Sequence, residues 1–142
     1  MGALPPRYSF VLNPHAGARF TRCPRCEAQT RVRKIALVVH VEHANGPRLA
    51  VLGKTCRLCV VCETLIVHEA ELEWLIAASG LSGQARKPAY LVLGTIELGA
   101  WRRGLAGDMS LEQVRQRMAD LKAYMDCLLY TSPEPTRQAE IS

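Results

Sequence analysis

Six cysteines carry the most specific chemistry in this chain, and five of them are grouped. Cys23-Pro-Arg-Cys26 sets two thiols three positions apart, and Cys56, Cys59 and Cys62 repeat that interval twice. A Cys-x-x-Cys loop turns tightly enough to aim two sulfurs at one point, so two such loops brought together offer four thiolates to one cation. Zinc takes four thiolates tetrahedrally at about 2.3 Å, which leaves no open position for a substrate water. The third thiol of the second cluster leaves a choice. The residue after a loop's second cysteine turns with positive φ, which is costly for a β-branched side chain. With Cys56 and Cys59 as the pair that residue is Val60; with Cys59 and Cys62 it is Glu63, matching Glu27 of the first pair. The expected ligands are therefore Cys23, Cys26, Cys59 and Cys62, with Cys56 as the alternative ligand. Cys127 receives no role.

The stretches Cys23-Pro-Arg-Cys26-Glu and Cys56-Arg-Leu-Cys59-Val-Val-Cys62-Glu resemble the knuckles of the zinc-ribbon family, over roughly residues 21–67. Glu27 and Glu63 stand where ribbon knuckles usually carry glycine. The resemblance implies one structural zinc ion and an antiparallel sheet that brings the knuckles together. The alternative metal is iron, in a rubredoxin-like electron carrier. The basic charge and the few aromatic side chains available to shield a redox centre speak for zinc.

Other chemistry is sparse. His15, His40, His43 and His68 are not spaced with a nucleophile and a carboxylate in any pattern that would activate one. The glycines form no phosphate-binding loop. The expectation is a non-catalytic protein.

The elements that must position the thiols follow from periodicity. Tyr8–Leu12 reads as a short strand closed by Asn13-Pro14. The run from Val32 to Val41 is β-branched, with Ile35, Leu37, Val39 and Val41 on one face. Asn45-Gly46-Pro47 supplies a turn, Arg48–Leu52 returns antiparallel toward the second cluster, and Thr64–Val67 adds a third strand. Residues 69–79 read as a helix with acids in its first turn and Gly80 as its stop. Residues 89–97 read as a further strand. Ser110-Leu-Glu-Gln113 is a capping box. Leu111, Val114, Met118, Leu121, Met125 and Leu128 then recur at steps of three and four, which predicts a helix over 110–129. Its seam either packs on its own domain or pairs two chains as a homodimer. The expected fold class is α+β: an antiparallel zinc-ribbon sheet (ribbon core 18–67) extended by additional strands, with two helices packed on it. Residues 1–130 form one domain, and 131–142 a disordered tail.

The chain has 142 residues and a net charge of +5, unevenly spread. Up to Lys34 there are seven basic residues and one acid, Glu27. Arg22, Arg25, Arg31, Arg33, Lys34, Lys54 and Arg57 surround the knuckles in sequence, so phosphate contact by a nucleic acid is the first functional expectation. A protein-interaction or adaptor module is the second, with Trp74 and Trp101 as anchors. No stretch approaches the roughly 18 apolar residues of a membrane span, and the N-terminus lacks the pattern of a secretory leader. A cytoplasmic protein with reduced thiols is expected, consistent with metal ligands rather than disulfides.

Overall fold

The computed structural model describes residues 2–15, 17–43, 46–80, 89–104 and 110–126. Cys127, the final residues of the expected C-terminal helix and the expected tail at 131–142 lie outside them. The central unit is an antiparallel ladder of β2 (Arg31–Val41) and β3 (Arg48–Cys59), from Val41 opposite Arg48 to Arg31 opposite Leu58. β3 continues past the expected end at Leu52 and into the second cysteine cluster. Gly53 and Lys54 break the apolar alternation there, which hid the continuation. Gly53 is where the Trp101 ring lies on the strand: a Cβ would stand 2.5 Å from its Cη2. A glycine inside a strand here marks a close approach, not a strand end.

β4 (Thr64–His68) returns antiparallel to β3, and β5 (Tyr90–Ile96) pairs with the other edge of β2. Between them lies α1 (Glu69–Ala78), capped by no side chain of its N-cap residue His68. A short helix that periodicity did not reveal, α2 (Leu98–Gly104), follows β5 and carries Trp101. β1 (Ser9–Asn13) lies parallel to β4, with Ser9 opposite Thr64. The sheet is thus mixed, a correction to the antiparallel sheet expected. Parallel neighbours need a long connection, and the whole ribbon hairpin lies between β1 and β4.

The C-terminal helix is the second correction. α3 (Leu111–Arg117) has the expected capping box, Gln113 N donating to Ser110 Oγ and Ser110 N to Gln113 Oε1. It ends at Arg117, where the expectation ran to 129. Met118 is extended (φ −86°, ψ 138°), and the chain goes on as β6 (Met118–Asp120) and β7 (Ala123–Asp126). β6 pairs antiparallel with β5, and β7 parallel with β1. Two sheet edges with unsatisfied amides and carbonyls outcompete a helical seam of moderate propensity. Gly94 admits the close pairing, since a Cβ there would collide with the Ala119 carbonyl.

This ending shapes the sheet. The strand order is β6-β5-β2-β3-β4-β1-β7, so β6 and β7 occupy opposite edges. A flat sheet of this order would hold them about 29 Å apart, at about 4.8 Å per strand. Only Leu121 and Lys122 connect them, and that link spans at most about 11 Å. The sheet therefore curls until its edges meet. Lys122 N donates to Tyr8 O (2.7 Å), Arg7 N to Asp120 O (3.1 Å) and Leu4 N to Met118 O (3.2 Å), lacing the N-terminal segment along the join.

The core follows the curl. One face of β1 to β5 converges in a single cluster, including Phe10, Leu37, Val39, Leu65, Val67 and Val92, covered by Leu72 and Ile76 of α1. The opposite face splits in two. Ala36, Val38, Ile96, Val114 and Met118 pack under α2 and α3, while Val11 and Ile66 pack under Phe20. Among the described residues no helix is long and apolar enough to cross a membrane.

Candidate metal centre

The first knuckle is a miniature hairpin. Cys23 N donates to Ala28 O (2.8 Å), Glu27 N to Cys23 O (2.9 Å) and Thr30 N to Thr21 O (2.9 Å), with a bridge between Arg22 and Gln29. The second knuckle is the turn between β3 and β4. Because Arg31 stands opposite Leu58, the β2–β3 ladder delivers both turns to the same end of the sheet. Glu27 and Glu63, each directly after its knuckle's second cysteine, have φ of 65° and 52°. Within each turn, backbone amides face sulfur. Arg25 N donates to Cys23 Sγ (3.4 Å), and the Val61 and Cys62 amides do the same for Cys59.

The result is a cluster of Cys23, Cys26, Cys59 and Cys62, with all four Sγ atoms within 4.8 Å of one another. Cys23 Sγ lies 3.5 Å from Cys62, Cys26 Sγ 3.4 Å from Cys59, and Cys62 Sγ 3.6 Å from Cys59. A disulfide would need about 2.05 Å. A tetrahedron of sulfurs at about 2.3 Å from a central ion has edges of about 3.8 Å, so these three contacts need to open by only a few tenths of an ångström. The donor set is all thiolate, which suits a soft or borderline cation. Cys23 and Cys59 are buried, whereas Cys26 is exposed and Cys62 lies between. Burial pushes the Cys59 thiol up, but the Cys62 and Val61 amides and the neighbouring thiols outweigh it and bring it to about 7. Burial holds Cys23 above the ordinary thiol range despite its own amide donors. Four sulfurs this close cannot all ionise without a cation among them, so metal binding and proton release are linked.

Cys56 is placed elsewhere. It points into the core beside Leu58 and donates to Lys54 O (3.2 Å). Burial pushes its thiol up to about 12. A thiol so protected is expected to resist alkylation in the folded protein at pH 8 and to react once the chain is denatured, as mass spectrometry of the labelled cysteines will read. Labelling of native Cys56 at the rate of a free thiol would contradict this placement.

The seven basic residues do not share one face. Opposite residues of an antiparallel pair point to the same side. The β2–β3 register therefore puts Arg31, Arg33 and Lys54 on the side of the α1-covered core, and Lys34 and Arg57 on the other. Lys54 is committed to Glu71 (2.7 Å) and Thr55 O (2.7 Å). Arg25 spans the knuckles by donating to Thr64 Oγ1 (3.2 Å), and Arg22 donates to Glu27 O (3.3 Å). Lys34 stands over the Trp101 ring at 5.6 Å. Sequence reasoning overlooked Thr64, whose hydroxyl lies 3.1 Å from Cys62 Sγ, because a threonine opening a strand carries no local signal.

Compared with known proteins, the chain matches no family model, no curated protein sequence and no solved structure.

Proposed function

We propose that this is a small intracellular, non-catalytic protein of zinc-ribbon type, in which one structural zinc ion on Cys23, Cys26, Cys59 and Cys62 holds a cationic strand end for contact with nucleic-acid phosphates. The observation that carries the reading is the exposure of four successive residues, Arg31, Val32, Arg33 and Lys34, beside the knuckles. A strand ordinarily buries one side; here both sides of its metal-proximal end face solvent, and three of the four residues are cations. Arg22 and Arg25 continue the charge onto the first knuckle, where both are exposed. Four thiolates on a divalent ion carry a net charge of −2, which two cations balance. The others are left to act outward. The described surface near them offers little aromatic stacking, so contact is with the backbone and independent of base sequence.

Fluorescence anisotropy with a labelled oligonucleotide tests this. Three phosphate contacts predict a loss of affinity of roughly twenty- to fortyfold between 50 and 200 mM salt. Arg31→Glu with Arg33→Glu should remove binding without changing metal content or melting. Salt-independent binding, or none at low salt, would end the reading. A preparation coloured by thiolate charge-transfer bands would replace zinc with iron.

A protein-interaction role has one observation in its favour: Trp74 on α1 is 70% exposed, the profile of an interface anchor. Pairing of chains through a 110–129 helix is no part of either reading, because that helix ends at Arg117.

A further inference from the structure

The curled sheet has an open edge beside the metal centre. β2 pairs with β3 from Arg31 to Val41, but with β5 only from Ala36, opposite Ile96, to Val41. Among the described residues no strand pairs with residues 31–35 on that second side. Alternate residues of an antiparallel strand turn amide and carbonyl to the same neighbour, so this stretch leaves about two or three amides and as many carbonyls without a sheet partner. They are within reach of a visitor. Arg31, Val32, Arg33 and Lys34 are exposed. A cavity of about 590 Å³ meets the end of the stretch, lined by Lys34 and Ile35 of β2, Ile96 of β5, and Pro6 and Tyr8 of the N-terminal segment, among others. Two acids share that lining. Glu63 is held by Lys122 at 2.9 Å, and Glu97 directly follows the last paired residue of β5, at the closed end of the edge.

We propose that residues 31–35 of β2 are a docking edge for an extended acidic peptide of a partner protein, added to the sheet as a further strand. Main-chain hydrogen bonds to β2 hold such a strand, and side chains select it. Cations on an open edge restrict what pairs with it. A second copy of this chain, edge to edge, would set arginine against arginine. Neither Arg31 nor Arg33 has an ion-pair partner among the described residues, so both are available to an acidic strand. Alternation puts Arg31 and Arg33 on one side of the edge and Val32, 57% exposed, on the other. The matching peptide therefore alternates acidic residues with apolar ones, and carries no acid beside Glu97. The inference adds a protein partner to the phosphate contacts proposed for the same arginines and does not rest on them. A nucleic acid uses their charge, whereas a strand also needs the backbone between them.

Amide hydrogen exchange followed by NMR tests the edge, with a capped peptide alternating glutamate and valine and its counterpart with lysine for glutamate. In the free protein, alternate amides of residues 31–35 are expected to exchange quickly, and those between them, bonded to β3, slowly. The glutamate peptide should slow the fast set saturably, and the lysine peptide should bind about tenfold more weakly or worse. N-methylation of one alternate set of peptide amides should cost about tenfold or more in affinity, and of the other set little. Arg31→Glu with Arg33→Glu should reverse the preference toward the lysine peptide at unchanged metal content. Oligonucleotide binding that fails while the peptide still protects alternate amides would end the phosphate reading and support this one. Oligonucleotide binding lost in the double variant, with no reversal of peptide preference, would overturn this proposal and leave the phosphate reading standing. Amides of residues 31–35 that all exchange slowly in the free protein, no saturable slowing by the glutamate peptide, or equal costs for the two N-methylated sets would also overturn it.

Discussion

Replacing Cys59 by serine should remove bound metal and, with it, cooperative unfolding at room temperature. Cys59 is fully buried, and its sulfur stands within 3.6 Å of both Cys26 and Cys62, so no other thiol can take its place without rebuilding the turn. Structural zinc in ribbon-sized sites contributes about 10–16 kcal/mol. The whole stability of an ordinary domain is about 5–15 kcal/mol. Losing the ion therefore outweighs most of what remains, and a strong chelator should act on the native protein in the same way. The control is Cys56→Ser. Cys56 lies in the core and touches no part of the sulfur cluster, so that variant should keep one metal ion per chain and lose only the roughly 1–3 kcal/mol of a slightly mispacked polar group. Elemental analysis with thermal melting reads both variants. Should Cys59→Ser retain full metal and full cooperativity, the site is not the one described.

Met118→Asp should unfold the chain. On the helical reading of residues 110–129, Met118 lay on a seam that packs on its own domain or pairs two chains, and in the paired case aspartate there would turn a dimer into a folded monomer. In the structure Met118 begins β6, is fully buried, and packs with Ala36, Val38, Ile96 and Val114. Truncating such a side chain costs about 2–5 kcal/mol by itself. A carboxylate without a partner adds several kcal/mol more. Met118→Leu, which preserves volume, should cost less than about 1.5 kcal/mol. Sedimentation and circular dichroism separate the two accounts: a well-folded monomer from Met118→Asp would restore the seam, and loss of cooperative structure supports the closed sheet.

The two variants mark the boundary of what could be read from the chain alone. The choice of Cys59 and Cys62 over Cys56 rested on a local rule, that the residue after a knuckle adopts positive φ. Glu27 and Glu63 do so in the structure. The strands around Phe10, Leu37, Ile66 and Val92 were legible for a similar reason, since each has β-branched or apolar residues bounded by turn signals. The continuation of β3 was not, because Gly53 answers to an indole that arrives from 48 residues further on. The basic residues form a cluster in sequence but divide in space, since alternation along β2 sends Arg33 and Lys34 to opposite sides.

By itself, then, the amino-acid order determined the thiol spacing, the hairpin that can unite the knuckles and the capping box that starts α3. All of these depend on residues within a few positions of one another or on a period. Only the tertiary structure decided that Met118–Asp120 and Ala123–Asp126 are strands. Their spacing satisfies a helical seam as readily as two short strands, and the free energy that settles the matter comes from partners far away: the open edges of β5 and β1, whose unpaired amides and carbonyls no local pattern announces.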